Sequence, residues 1–321
     1  YIPIARDGYP NRVAPGEGSL VAFFPGYPAT IRAVARTSGL SYEVSALLVA
    51  AAFGLVATVL LWVLARRLAG PDAADRTTAL FCFFPGSYIL SLAYAEGLML
   101  TFAIACLLAL MSRRWLLAGV AAALATGTRP NAVVLVACCA WEAGRHVRRR
   151  AEPGAPPTWN WRPVVAPLLA PVGALVYLGF LWHKTGEAGV WFRTEREGWN
   201  QRLDGGISTL RVIWRVIQHP VADINDLVAT LSVIFVVVAA YVLFRSRLPS
   251  VLVLYAALIA LAAFISESTV SRPRFLLTAF PLFIALALKL QGARFAVVLG
   301  CSGVLLAALS ILSVGTLAPT P

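Results

Sequence analysis

Charged side chains at the ends of apolar runs are the residues best placed to do chemistry in this sequence. Arg129 stands in Thr126-Gly127-Thr128-Arg129-Pro130-Asn131, and Arg272 and Arg274 flank a proline in Ser271-Arg272-Pro273-Arg274-Phe275. A guanidinium is a planar fork of donors that matches a phosphate, so both segments are candidate phosphate holders, with Asn131 as a polar neighbour. The alternatives are a snorkelling or capping role for Arg129 and pairing of the second segment with Glu267. Glu96 ends Tyr94-Ala95-Glu96 just before another apolar run. A carboxylate at full bilayer depth costs several kcal/mol, so Glu96 is expected either to line a site or to sit solvated at a helix end.

Aromatic residues form the second group. Tyr27 lies in Ala22-Phe23-Phe24-Pro25-Gly26-Tyr27-Pro28, and a similar Phe83-Phe84-Pro85-Gly86-Ser87-Tyr88 precedes Tyr94. Rings beside prolines could cradle a sugar or a prenyl chain, or form an interfacial belt. Val190-Trp191-Phe192-Arg193 and Trp199-Asn200 suit sugar stacking and membrane anchoring equally well. His183 and His219 stand alone without metal-ligand spacing. No Walker loop, GxGxxG or Asp-x-Asp pair occurs. Cys82, Cys106, Cys138, Cys139 and Cys301 fall inside apolar runs and read as packing residues.

The elements that must position these residues are set by composition. Of 321 residues, 59% are hydrophobic and 13% are charged, with a mean hydropathy of +0.77. Soluble domains are nearer ~45–50% apolar and ~25% charged. This excess excludes a soluble enzyme, a disordered chain and a fibrous protein. It predicts an all-α, polytopic transmembrane bundle. The net charge of +12 comes from 27 basic against 15 acidic residues. The arginines cluster in short loops between apolar runs, a positive-inside pattern rather than a nucleic-acid footprint.

About ten spans are predicted, near Val44–Ala65, Thr77–Ala93, Gly97–Leu110, Trp115–Ala125, Asn131–Ala143, Val164–Trp182, Leu227–Phe244, Val251–Ile265, Phe275–Leu288 and Ala296–Val314. Basic loops such as Arg66/Arg67/Arg76, Arg113/Arg114 and Arg145 to Arg150 then alternate with acid-rich segments. The predicted organisation is one integral membrane domain over 1–321, without a separate soluble domain. Residues 1–42 and 184–226 are its outer loops. Helical loop segments are expected at Ile207–Ile217 and Phe23–Val34, each either lying along the interface or packed as a re-entrant helix. Acids and arginines share the extracytoplasmic face, so chemistry is expected there.

In their order along the chain these motifs resemble the GPI mannosyltransferase II (PIG-V-like) family, including its prokaryotic members, which are integral-membrane glycosyltransferases of the GT-C type. The matching pieces are Tyr1-Ile2-Pro3-Ile4-Ala5-Arg6-Asp7-Gly8-Tyr9, Phe23–Pro28, Phe83–Pro85 with Tyr94-Ala95-Glu96, Thr128-Arg129-Pro130-Asn131, and Pro273-Arg274-Phe275 with Pro281. The resemblance implies transfer of a mannose, or another hexose, from a polyprenyl- or dolichyl-phosphate sugar to a glycan or glycolipid acceptor. It implies an extracytoplasmic reaction, at the plasma (inner) membrane of a prokaryote, with membrane lipids as surroundings and no cofactor beyond the lipid-linked donor. The family's acid is a Trp-Asp pair expected just upstream of Tyr1, so the chain reads as N-terminally truncated, with Asp7 the one carboxylate that could substitute by position. Arg129, Arg272 and Arg274 would neutralise the departing lipid phosphate, with Asn131, Tyr27 and Tyr94 beside them, and Glu96 would orient a sugar. The rival expectations are a transporter or lipid flippase and a catalytically inactive binding subunit.

Overall fold

The computed structural model describes residues 1–16, 19–150, 161–199, 204–219, 223–265 and 272–315, the side chains of 149–150, 224, 272 and 314–315 excepted. The α-helices in chain order are α1 (Ile2–Asp7), α2 (Gly26–Ser38), α3 (Tyr42–Ala69), α4 (Pro71–Cys82), α5 (Glu96–Met111), α6 (Trp115–Thr126), α7 (Val134–Arg150) and α8 (Arg162–Leu169). They continue with α9 (Val172–Thr185), α10 (Val190–Arg193), α11 (Ile207–Gln218), α12 (Ile224–Arg245), α13 (Ser250–Ile265), α14 (Arg272–Leu277), α15 (Pro281–Lys289) and α16 (Gly292–Gly315). No strand occurs among the described residues, as the all-α expectation requires. Prolines mark where helical turns begin. Pro71 and Pro281 open α4 and α15, and Pro85 and Pro130 open 3₁₀ turns at Pro85–Ser91 and Pro130–Val133. At that position the missing N–H costs nothing and the fixed φ suits the helix.

The chain is an integral membrane protein, but the expected number of spans is too high. Among the described residues, four helices are long and apolar enough to cross a membrane: Tyr42–Ala69, Arg162–Thr185, Asn225–Arg245 and Gly292–Ser313. A fifth is reached only by counting the bent pair Pro85–Ser91 and Glu96–Met111 as one span. The reasons for the difference are local. The predicted Thr77–Ala93 span breaks after Cys82, where Pro85 and Gly86 turn the chain. Phe275–Leu288 breaks between α14 and α15. Trp115–Thr126 and Ser250–Ile265 are apolar but have only 12 and 16 residues, short of the ~20 that a straight crossing needs.

The chain divides into two compact units, residues 1–60 with 93–194 and residues 61–92 with 195–321. In the first, α6 is the organising helix. Gly119, Ala123 and Gly127 recur every fourth residue and form a groove without bulk. A Cβ at Gly119 would press on Ala166 and Leu169 of α8. A Cβ at Gly173 of α9 would collide with the carbonyl of Ala123. Small residues at this spacing let helix backbones approach closely in a membrane. The same device seats α5 on α3: a Cβ at Gly97 would stand 2.8 Å from Gly54 N and 3.0 Å from Ala50 O. In the second unit, α15 packs on α4 and α12, while α16 lies along the Pro85–Ser91 turn.

Candidate functional site

In the first unit the close α3–α5 crossing fixes where α5 begins, and the first residue of α5 is Glu96. A carboxylate in the first turn complements the helix dipole. The end of α6 delivers its partner. Arg129 has extended backbone at the head of the Pro130–Val133 turn, and its Nη1 donates to Glu96 Oε1. Both side chains are enclosed, at 10% and 1% exposure for Arg129 and Glu96. Neither could be buried singly without a severe desolvation penalty, which the mutual attraction offsets. The amide of Asn131 lies in the same turn, with Oδ1 and Nδ2 both buried and without a hydrogen-bond partner.

The Phe-Phe-Pro-Gly segment is locked onto this turn. Gly26 N donates to Gly127 O at 2.9 Å, and a Cβ at Gly26 would run into Thr128. Only glycine allows α2 to start this close to the Arg129 segment. Beside it, Tyr1 stands at the centre of an aromatic group. Its ring centroid is 5.1 Å from Phe23, 5.0 Å from Tyr27 and 6.2 Å from Tyr94, all at edge-on angles. Tyr27 is fully buried and its hydroxyl donates to Ala46 O at 2.7 Å.

A second set of aromatics holds the other side of the Phe23 segment. Tyr177 Oη donates to Val21 O at 2.7 Å, Tyr9 Oη to Phe23 O at 2.7 Å, and Trp191 Nε1 to Ala22 O at 3.3 Å. Three successive carbonyls thus find aromatic donors, with Phe24 packed against Tyr177 and Trp191. Burial pushes the Tyr9 phenol well above its ordinary value, which keeps the donor protonated. Gly186 ends α9 with φ of 76°, a conformation that favours glycine. The chain after it carries Glu187, whose Oε1 accepts from Arg193 Nε at 2.8 Å and whose Oε2 accepts from Nη2 at 2.6 Å, while Nη2 also donates to Val13 O at 3.2 Å. The Arg193 hydrogen bond holds the Glu187 carboxyl below its usual range. The tryptophan and arginine of the Val190–Arg193 motif therefore act as braces in this structure.

In the second unit the Phe83–Tyr88 and Pro273–Arg274 motifs meet. A Cβ at Gly86 would overlap the backbone carbonyl of Pro273, so the Pro85–Ser91 turn and α14 touch main chain to main chain. Ser302 Oγ of α16 donates to Phe83 O at 2.9 Å. Between these elements lies a cavity of about 400 Å³ lined by Phe84, Pro85, Leu231, Phe235, Pro273 and Leu309 among other apolar residues. Arg274 follows Pro273 in α14, its guanidinium carbon 5.2 Å from the Phe275 ring centroid.

The residues named from the sequence fall into two groups. Tyr27, Tyr94, Glu96, Arg129 and Asn131 belong to the first unit, and Arg272 and Arg274 to the second. Asp7 ends α1 on the surface, 3.6 Å from Arg6 and well exposed. Arg272 opens α14, its side chain outside the described residues, as are Asn200 and the whole of 266–271 with Glu267. The Glu96–Arg129 pairing and the tyrosine braces were not read from the sequence. The one available signal for the pair was a lone acid and a lone arginine, each next to an apolar run. Among the described residues, no three His, Cys, Asp or Glu side chains gather where a metal ion could be held.

No protein-family model matches this sequence, and a search of curated proteins gives no match. Solved structures do match. ArnT from Cupriavidus metallidurans bound to undecaprenyl phosphate aligns with TM-score 0.59 and 17% identity, over 100% of this chain and 60% of that one. ArnT in the apo state gives 0.58 and 17%, over 100% and 59%. The apo oligosaccharyltransferase of Archaeoglobus fulgidus gives 0.49 and 13%, over 92% and 49%. The chain therefore spans about 60% of the length of ArnT. At this identity the likeness is one of fold, which this chain shares with ArnT.

Proposed function

We propose that this protein transfers a hexose, mannose by its motif resemblance, from a polyprenyl- or dolichyl-phosphate sugar to a lipid or glycan acceptor on the extracytoplasmic face. The observation that carries the reading is the apolar cavity of about 400 Å³ walled by Pro273, with Arg274 next in the chain. An isoprenoid phosphate asks for that combination, a dry channel for branched hydrocarbon and a cation for the headgroup. The shared fold with ArnT, which has been seen bound to undecaprenyl phosphate, supports a polyprenyl-phosphate ligand.

In the proposed reaction an acceptor hydroxyl oxygen attacks the anomeric carbon as the bond from that carbon to the phosphate oxygen breaks. The electron pair leaves on the phosphate and the hydroxyl proton passes to a carboxylate. Arg274, with Arg272, stabilises the departing phosphate. Asp7 is the proposed proton acceptor by its place in the chain. Glu96 and Arg129 serve as a positioning pair that fixes the turn carrying Asn131, and the Asn131 amide, buried and without a partner, is a proposed hydrogen-bonding group of the first unit. Orientation effects of this kind supply much of the rate in transfers between two bound substrates.

The test is incubation of the protein in membranes with radiolabelled polyprenyl-phosphate mannose. The expected result is label in a lipid or glycan product, abolished by Arg274→Ala. Full transfer by Arg274→Ala removes the phosphate role. Vesicle-to-vesicle movement of the donor without any product favours a transporter or flippase.

A further inference from the structure

Helix α11 has a surface that the proposed reaction does not use. Its exposed apolar residues are Ile207, Leu210, Trp214 and Ile217, at 52%, 68%, 60% and 66% exposure. The spacings of three, four and three residues put them on one stripe. A different face carries Thr209 and Val212, which are buried against the rest of the unit. A third face, between these two, carries exposed Arg211 and Arg215. A helix of a soluble protein has no need of two apolar faces.

The position of α11 explains the second one. At its start, Asp204 N donates to Ile265 O at 3.1 Å, and Thr209 Oγ1 donates to Phe264 O at 3.1 Å, so the helix is tied to the last turn of α13. Asp204 also holds the entry to the helix, its carboxylate accepting from Gly206 N at 2.9 Å and Ser208 N at 2.7 Å. At its other end, Arg215 Nε lies 3.1 Å from Asp226 Oδ2 in the first turn of α12. Helix α12 is long and apolar enough to cross a membrane, and Ile234, Val237, Val238, Tyr241 and Phe244 along it are exposed. The start of α12 and the end of α13 are the same end of a helical hairpin. Helix α11 is bound across that end.

We infer that α11 is a docking surface for the anionic headgroup layer of the membrane. Ile207, Leu210, Trp214 and Ile217 enter the acyl boundary, and Arg211 takes a lipid phosphate, Arg215 being held by Asp226. The apolar stripe is continuous in chemistry with the exposed apolar side of α12, and Arg211 supplies the complementary charge. The inference stands or falls separately from the sugar-transfer reading, since it concerns no substrate.

The test reconstitutes the protein in phosphatidylcholine vesicles doped with brominated phosphatidylcholine or brominated phosphatidylglycerol. The emission lost in Trp214→Phe isolates the Trp214 signal, and the exposure of this ring makes the substitution mild for folding. The expected result is quenching strongest for bromines near the headgroup end of the chain. Brominated phosphatidylglycerol should be about fivefold more effective than phosphatidylcholine, the equivalent of ~1 kcal/mol for one arginine near an anionic surface. Arg211→Gln should remove that preference and keep the quenching. A Trp214 signal that neither lipid quenches, or that only deep bromines quench, overturns the inference. Equal quenching by the two lipids in the unaltered protein overturns its anionic part.

Discussion

The buried pair of Glu96 and Arg129 yields the sharpest stability prediction. Glu96→Ala leaves a guanidinium at 10% exposure with its carboxylate partner removed. Breaking an enclosed ion pair from one side costs about 3–5 kcal/mol. A pair at the surface is worth about 0–1 kcal/mol, and the favourable position of Glu96 in the first turn of α5 accounts for about 0.3–1 kcal/mol. The expected loss is thus several times larger than either lesser explanation allows. Replacing both partners, as in Glu96→Leu with Arg129→Met, removes the uncompensated charge and should recover most of the loss. The assay is unfolding in mixed micelles by graded sodium dodecyl sulfate, followed by tryptophan emission. The reasoning fails if Glu96→Ala loses less than about 1 kcal/mol, the exposed-pair range. It also fails if the double variant is as unstable as the two single losses added together.

Other predictions follow from particular contacts. Gly86→Ala drives a Cβ into the Pro273 carbonyl and should cost about 1–3 kcal/mol as an overpacked contact, whereas Gly179→Ala, with nothing within 4 Å, should be neutral or stabilise α9 by up to ~1 kcal/mol; the same micelle unfolding distinguishes them. Leu231→Trp fills part of the cavity in the second unit and should raise KM for a long polyprenyl donor by roughly tenfold, given ~0.8 kcal/mol per displaced methylene contact, while leaving a single-isoprene donor analogue unaffected. The Glu187 carboxyl is held below its ordinary value of 4.5 by Arg193, so its contribution is present above that value and lost as pH falls through the lower folded value. Glu187→Gln should therefore abolish an acid-dependent rise in proteolysis near Val190–Arg193 that the unaltered protein shows.

Helices α3, α5, α6, α12, α13 and α16 were legible in the sequence because each is a continuous run of apolar residues. The start of α5 at Glu96 and of α6 at Trp115 fall within a residue of expectation. The span count was not legible, because a window of hydropathy registers composition and not continuity. Pro85 and Gly86 carry apolar neighbours on both sides, so the window passes over a break that backbone chemistry imposes. With four or five spans by length, the alternation of basic loops no longer fixes which face is which. The site was legible by residue type and not by partnership. Glu96 and Arg129 are 33 residues apart, and only the small-residue groove of α6 with the Gly97–Gly54 crossing brings them together. The braces from Tyr9, Tyr177 and Trp191 were hidden for the same reason, since their acceptors are backbone carbonyls that carry no sequence signal.

The most direct measurement is transfer of labelled mannose from a polyprenyl phosphate by membranes carrying the protein, with Arg274→Ala and Arg274→Lys run in parallel. The account predicts a labelled lipid or glycan product, no product with alanine, and partial activity with lysine, which keeps the charge but loses the fork. Product formation undiminished by alanine at position 274 would contradict the account.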